Sequence, residues 1–271
     1  MNRPTRWHLR SWALLVAAAF MLSSAVDAQT PTGPDIPPVT PADREAGFPD
    51  LGDMDMRDMM LEDPFNTLIL FDQLEAQAAE GSDILSWDVK GWAGRTLNKL
   101  WVRSEGEKRS GTTEHAELQL LWGRSFARWW DVVAGVRHDT RPSPDQTWAA
   151  FGVQGLAPYR FDLEATAFVG ESGQAAARFE AEYDLLITAR LILQPLIEMN
   201  WYAEDDAQRG IGAGFSSAEV GLRLRYELRR EIAPYVGLLF AKKYGATADF
   251  ARAAGADSSD TRFVAGVRLW F

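Results

Sequence analysis

Four of the seven methionines of this 271-residue chain fall inside one octapeptide, DMDMRDMM, residues 53–60. Thioether sulfur is a soft donor that suits Cu(I) and Ag(I), whereas zinc and magnesium prefer imidazole or oxygen. In a flexible stretch three of Met54, Met56, Met59 and Met60 can converge on one ion without prebuilt geometry. Asp53, Asp55 and Asp58 between them would attract cations and could ligate Cu(II). The competing reading is that methionine serves as pliant apolar filler, with the octapeptide docked as a helix or plug against a larger domain. The chain has no cysteine, which excludes a thiolate site and a disulfide framework, so methionine is the soft ligand available. Imidazole adds two candidates, His115 and His138, and no histidine lies between His8 and His115.

The octapeptide sits in a part of the chain with little to pack. Residues 31–49, PTGPDIPPVTPADREAGFP, are proline-rich and poor in apolar side chains, the composition of a linker. Ahead of them Arg3, Arg6 and Arg10 precede an apolar run from Ala13 to about Leu22 and small residues ending Val26-Asp27-Ala28. That is the layout of a secretory signal, too short to span a bilayer as a helix, and cleavage is expected after Ala28. The formal charge of −10 becomes about −12 once the three signal arginines and Asp27 are removed. So acidic a chain is a poor partner for nucleic acid; it suits cation capture or plain solubility. The expected organisation is a signal over 1–28, a disordered Pro/Met-bearing segment over 29–65 and a folded domain over 66–271.

The folded domain is written with a period of two. In RFEAEYDLL, Arg178, Glu180, Glu182 and Asp184 share one face and Phe179, Ala181, Tyr183 and Leu185 the other. The same split runs through EVGLRLRYELR, from Glu219 to Arg229, and RFDLEATAFV, from Arg160 to Val169. Such segments predict about twelve strands, near 67–77, 83–93, 97–107, 112–126, 129–140, 146–157, 159–170, 174–187, 190–203, 214–228, 232–244 and 260–271. Short connections near residues 95, 127, 157 and 229 alternate with long ones at 139–146, 204–213 and 245–259.

A soluble sandwich can also alternate, and the last strand decides against it. DTRFVAGVRLWF places Phe263, Ala265, Val267, Leu269 and the terminal Phe271 on one face, which resembles the C-terminal signal of bacterial outer-membrane proteins. With an even strand count, a secretory signal and eleven tryptophans for interfacial girdles, the expected fold is all-β, a transmembrane outer-membrane β-barrel of about twelve antiparallel strands. Closure is required because lipid offers no partner to an open sheet edge. The apolar rows then face lipid, and Glu117, Arg137, Glu164, Arg178, Arg223, Arg225 and their neighbours line a lumen they constrict by pairing. His115 shares the parity of Glu117 and faces that lumen, as a transient metal site or as a hydrogen-bonded wall residue. Strict alternation turns His138 outward unless the strand end bulges, in which case it joins Asp139 at the rim.

Longer motifs carry a resemblance. VQGLAPYRFDLEATAFVGESG (153–173), ARFEAEYDLLITARLILQPLIEMN (177–200) and GLRLRYELRREIAPYVG (221–237) resemble the CopB/PcoB copper-resistance proteins of the bacterial outer membrane. FDQLEAQ (71–77), WDVKGWAG (87–94), LWVRSEGE (100–107) and GVRHDTRP (135–142) fit the same family. The resemblance implies a copper-homeostasis barrel with a metal-binding N-terminal segment in the periplasm and copper as cargo or sequestered ion. It also implies a periplasmic multicopper oxidase as a neighbour. Members carry extended Met/His repeats, whereas this chain offers DMDMRDMM alone, which implies a weaker or smaller N-terminal site.

Two other functions are set against this one. Outer-membrane lipases and acyltransferases also use small barrels, and hydrolysis needs a serine within reach of an oriented histidine. His138 with Ser143 and His115 with Ser125 are the available pairs, and neither sits in a recognisable motif. A purely structural barrel would handle no metal. No catalytic residue is therefore assigned.

Overall fold

The computed structural model describes residues 38–47, 63–79 and 82–271. The expected signal and Met54, Met56, Met59 and Met60 lie outside the described residues.

Twelve antiparallel strands make up the domain: β1 Asn66–Ala79, β2 Ser82–Gly94, β3 Asn98–Arg109, β4 Thr112–Ala127, β5 Trp130–Arg141 and β6 Gln146–Leu156. They continue as β7 Phe161–Gly170, β8 Ala175–Tyr183, β9 Leu191–Tyr202, β10 Gly214–Tyr226, β11 Ile232–Lys243 and β12 Ser259–Trp270. A short extension of β8, Leu185–Leu186, also pairs with β9. Each strand pairs with its sequence neighbours, and β1 pairs with β12, so the sheet closes on itself. Closure leaves no unpaired edge, as lipid demands. The last residue completes it: Phe271 and Ile69 exchange backbone hydrogen bonds of 2.9 and 3.0 Å. The Phe271 ring meets Phe71 edge-on at 6.5 Å.

Alternation sorts the side chains as the sequence predicts. Phe263, Val236, Phe151 and Leu222 stand exposed on the outside, while Glu117, Arg137, Arg178 and Arg223 are buried within. An exposed apolar belt of this extent is a liability in water and the required surface in lipid. Phe126, Trp129, Tyr159 and Phe271 are exposed at the end where β1 begins and β12 ends, where an aromatic girdle belongs. The tryptophans are not all spent there. Trp92, Trp101 and Trp148 turn inward; Lys99 stands over Trp92 and Arg103 over Trp101, and the Trp148 indole donates to Asp139 at 3.0 Å.

Two departures from simple alternation matter. A β-bulge between Phe71 and Gln73 switches the inward parity of β1, turning Asp72, Gln73, Glu75 and Gln77 into the lumen. At the end away from the start of β1, β9–β10 and β11–β12 are joined by the long connections 203–213 and 244–258, whereas β3 and β4 are joined by the two-residue turn Ser110-Gly111. Both turn residues have positive φ, 46° and 87°, which matches the twist of a tight hairpin. So long loops cluster at one end without occupying every connection there.

The longest loop contains a helix, Gly245–Ala253, which buries Thr247, Ala248 and Ala251. Another short helix, α1 Pro41–Gly47, lies within the stretch read as linker. It is built locally: the Asp43 carboxylate accepts from the Thr40 backbone N–H at 2.9 Å, and the Thr40 hydroxyl accepts from the Asp43 N–H at 3.2 Å, a capping box with Pro41 at the first position. It buries no side chain. The helix of the long loop is called α2 below.

Candidate functional site

Paired charges brace the lumen from wall to wall. Arg178 on β8 grips Glu117 on β4 with two parallel bonds of 3.1 and 2.9 Å and reaches Glu105 on β3 at 2.9 Å. Arg137 on β5 meets the same Glu117 at 2.8 Å. On the opposite wall Arg223 holds Glu75 at 2.8 and 2.9 Å, and Arg262 holds Glu107 at 2.9 Å. Lys90 on β2 faces Glu164 on β7 at 3.6 Å and Glu180 on β8 at 3.7 Å, and Arg103 also donates to Glu164 and Gln154. Arg225 bonds Gln194 at 2.9 Å and Asp184 at 2.7 Å. Burying so many charges is tolerable because nearly all are paired, and removing one partner strands another.

The network divides the interior. A cavity of about 780 Å³ opens at the end where β1 begins and β12 ends, lined by Lys99, Asp131, Asp162 and Glu182. A second, of about 380 Å³, lies toward the other end among Glu105, His115, Arg178 and Glu198. Asp72, Lys90 and Glu182 belong to the walls of both. Loop 203–213 reaches into the second: Arg209 is buried and bonds the Asp139 carboxylate at 2.8 Å. Gly212 packs so tightly against α2 that a Cβ there would lie 2.4 Å from the Thr247 nitrogen, and its N–H donates to the Thr247 hydroxyl at 2.8 Å.

The two histidines part company. His115 faces the lumen, its Nε2 3.4 Å from Glu117, with Glu105 beside it; ligand atoms of these three residues all lie within 4.8 Å of one another. His138 faces outward, exposed, its Nδ1 3.0 Å from the Thr147 hydroxyl. The β4–β5 register does shift at this strand end, between Asp139 and Arg141, but it leaves the rim pair apart: Asp139 turns inward to Arg137, Arg209 and Trp148. Neither histidine–serine pair is assembled among the described residues. Ser125 bonds Asp131 at 2.5 Å near the opposite end of the lumen, and Ser143 bonds Arg141.

Several lumen residues escape a strict two-residue count. Asp72 and Glu75 come inward through the β1 bulge, and Arg209 comes from a loop. The Asp in FDQLEAQ, one position out of phase with Glu75, was the available sign of a bulge. Nothing local marks Arg209.

A closed antiparallel barrel with an apolar exterior and a charged, cross-braced lumen is an outer-membrane β-barrel protein. Among solved structures, the NanC porin superposes with a TM-score of 0.51 at 11% identity, covering 75% of this chain and 99% of that one, which shows the shared fold. The chain belongs to the copper resistance protein B family, whose sequence model, described as copper resistance protein B precursor (CopB), matches residues 65–271. Copper resistance protein B of Escherichia coli is 50% identical over 236 residues, 87% of this chain and 78% of that protein. The copper resistance protein B homolog of Pseudomonas syringae pv. tomato is 48% identical over 250 residues, 92% of this chain and 84% of the homolog. The family takes its name from copper resistance and not from a reaction.

Proposed function

We propose that this chain binds copper on its N-terminal segment, through Met54, Met56, Met59 and Met60, and hands it to the barrel for movement across the outer membrane. The observation that carries the reading is family membership across the whole barrel, joined to a thioether cluster in a chain without cysteine. Thioethers favour Cu(I). The segment enters the barrel at Asn66, at the end where the larger cavity opens, so an ion released there meets the acidic side chains Asp131, Asp162 and Glu182. That end faces the periplasm in this reading, and a periplasmic multicopper oxidase is the partner class it implies. His115 serves as a ligand within the lumen. His138, on the outer face with its Nδ1 against the Thr147 hydroxyl, stands outside the lumen path.

The test is complementation. A strain lacking the gene, supplied with the native chain, should regain copper tolerance; one supplied with Met54, Met56, Met59 and Met60 all changed to serine should regain less, at equal outer-membrane abundance. Equal rescue by the two would contradict a role for the thioethers. Unchanged tolerance on deletion would favour a purely structural barrel.

A further inference from the structure

Arg178 is claimed by too many carboxylates. Its guanidinium lies 2.9 Å from Glu105, 2.9 Å from Glu117 and 3.6 Å from Glu198, so one positive charge serves three negative ones. Glu117 also has Arg137, but Arg137 is itself shared with Asp139 at 2.6 Å. Arg178 is therefore outnumbered by its own carboxylate partners at the place where an imidazole stands, since His115 lies against Glu117 and retains 32% of its side-chain exposure.

From this geometry we propose that Glu105, His115 and Glu117 form a divalent-cation site inside the barrel, suited to Cu(II), whose occupant displaces the Arg178 guanidinium. One imidazole and two carboxylates are a borderline-to-hard donor set, matched to Cu(II), Ni(II) and Zn(II), and among these Cu(II) binds most tightly in a given site. Thioether is absent from it, so the site differs in kind from the methionine octapeptide. The exchange conserves pairing. The cation takes the Glu105 and Glu117 oxygens that Arg178 now holds, while Arg137 at 2.8 Å and Gln119 at 2.7 Å keep Glu117 in place. Arg178 retains Glu198 and the Asn200 side-chain oxygen, which its Nε already reaches at 3.2 Å. Because Arg178 is one of the braces crossing the lumen, its release would couple cation binding to the width of the passage.

This inference rests on the reading that the chain handles copper, but it requires no role for the methionines. The test uses the full mature protein in detergent with Met54, Met56, Met59 and Met60 changed to serine, titrated with Cu(II) and followed by electron paramagnetic resonance. One Cu(II) per barrel with hyperfine splitting from a single imidazole nitrogen is expected. His115→Gln should abolish that splitting, and both His115→Gln and Glu105→Gln should weaken binding at least as much as the loss of an outer-sphere partner, about 10- to 100-fold. Heat-modifiable gel migration checks that each variant is folded, and His115→Asn replaces His115→Gln if the latter is not. An unchanged spectrum and affinity in the histidine variant, or no stoichiometric Cu(II) in the parent, overturns the site. Cu(II) held in the barrel of a native protein whose octapeptide binds no Cu(I) would count against the proposed arm alone.

Discussion

At the end of the barrel where β1 begins and β12 ends the lumen widens into a cavity of about 780 Å³, whereas toward the other end it shrinks to about 380 Å³ and a loop arginine is buried inside it. The chemistry differs with the shape. Lys99 and Asp131, at the wide end, sit 3.3 Å apart with 22% and 15% of their side chains exposed. At the narrow end Asp139 is 1% exposed and accepts from Arg137, Arg209 and Trp148 together. One end is a wetted vestibule with a loosely held pair; the other is a pinned closure in which a single carboxylate fixes two strands and a loop. An ion entering from the wide end would meet partly solvated charges first and the braced network second.

The contrast can be broken by substitution. Asp139→Asn keeps the shape and removes the charge that two buried guanidinium groups share, so it should lower the unfolding free energy by about 3–5 kcal/mol, read from urea unfolding in lipid vesicles. A loss under about 1 kcal/mol would mean the narrow end is no more committed than an exposed pair. Arg209→Ala should cost less, about 1–3 kcal/mol, because Asp139 keeps Arg137 and Trp148 as donors when Arg209 is lost. Its larger signature is functional: protease cleavage within 203–213 and a rise in conductance across planar bilayers, both absent from the native chain. Combined with Asp139→Asn its cost should not add, since the two share one bond. Lys99→Ala, at the wide end, should change stability by less than about 1 kcal/mol.

The smallest effect sharpens the wide end further. Just before β1, the Asp63 carboxylate accepts the Thr96 backbone N–H at 2.9 Å, which ties the chain to the β2–β3 turn. That bond, aided by Arg95, holds the Asp63 carboxyl below the usual carboxylate range. A lowered folded value means the tether is fully present above the ordinary carboxylate pKa and is lost as pH falls through the lowered one. Amide exchange at Thr96 should therefore quicken, relative to its neighbours, only in strong acid. Asp63→Asn should remove that relative change, and an equal change in both proteins would assign it to another group.

Much of this architecture is legible in the sequence. Strand after strand, from RFEAEYDLL to EVGLRLRYELR, alternation sets both the boundaries and the face each residue presents, because lipid outside and charge inside leave no freedom of register. His115 is placed correctly by parity with Glu117, and His138 is turned outward by the same rule. What alternation cannot show is where it fails. The bulge at Phe71–Gln73 depends on pairing with two neighbouring strands at once, so Asp72 and Glu75 are lumen residues for reasons outside their own segment. Arg209 comes from a loop, where no period applies. Helix α2 was within reach: ATADFARAA is rich in good helix formers. The overdrawn Arg178 emerges only once β3, β4, β8 and β9 are brought around the same axis.

The most direct test of copper capture by the N-terminal segment is the Cu(I) stoichiometry and affinity of the purified mature protein, measured by competition with a chromogenic chelator. The variant with Met54, Met56, Met59 and Met60 changed to serine is measured beside it. The native protein should bind Cu(I) and the variant should not. Equal binding by both would move the Cu(I) ligands into the barrel and contradict the role given to the octapeptide, and binding by neither would remove Cu(I) capture from this chain altogether.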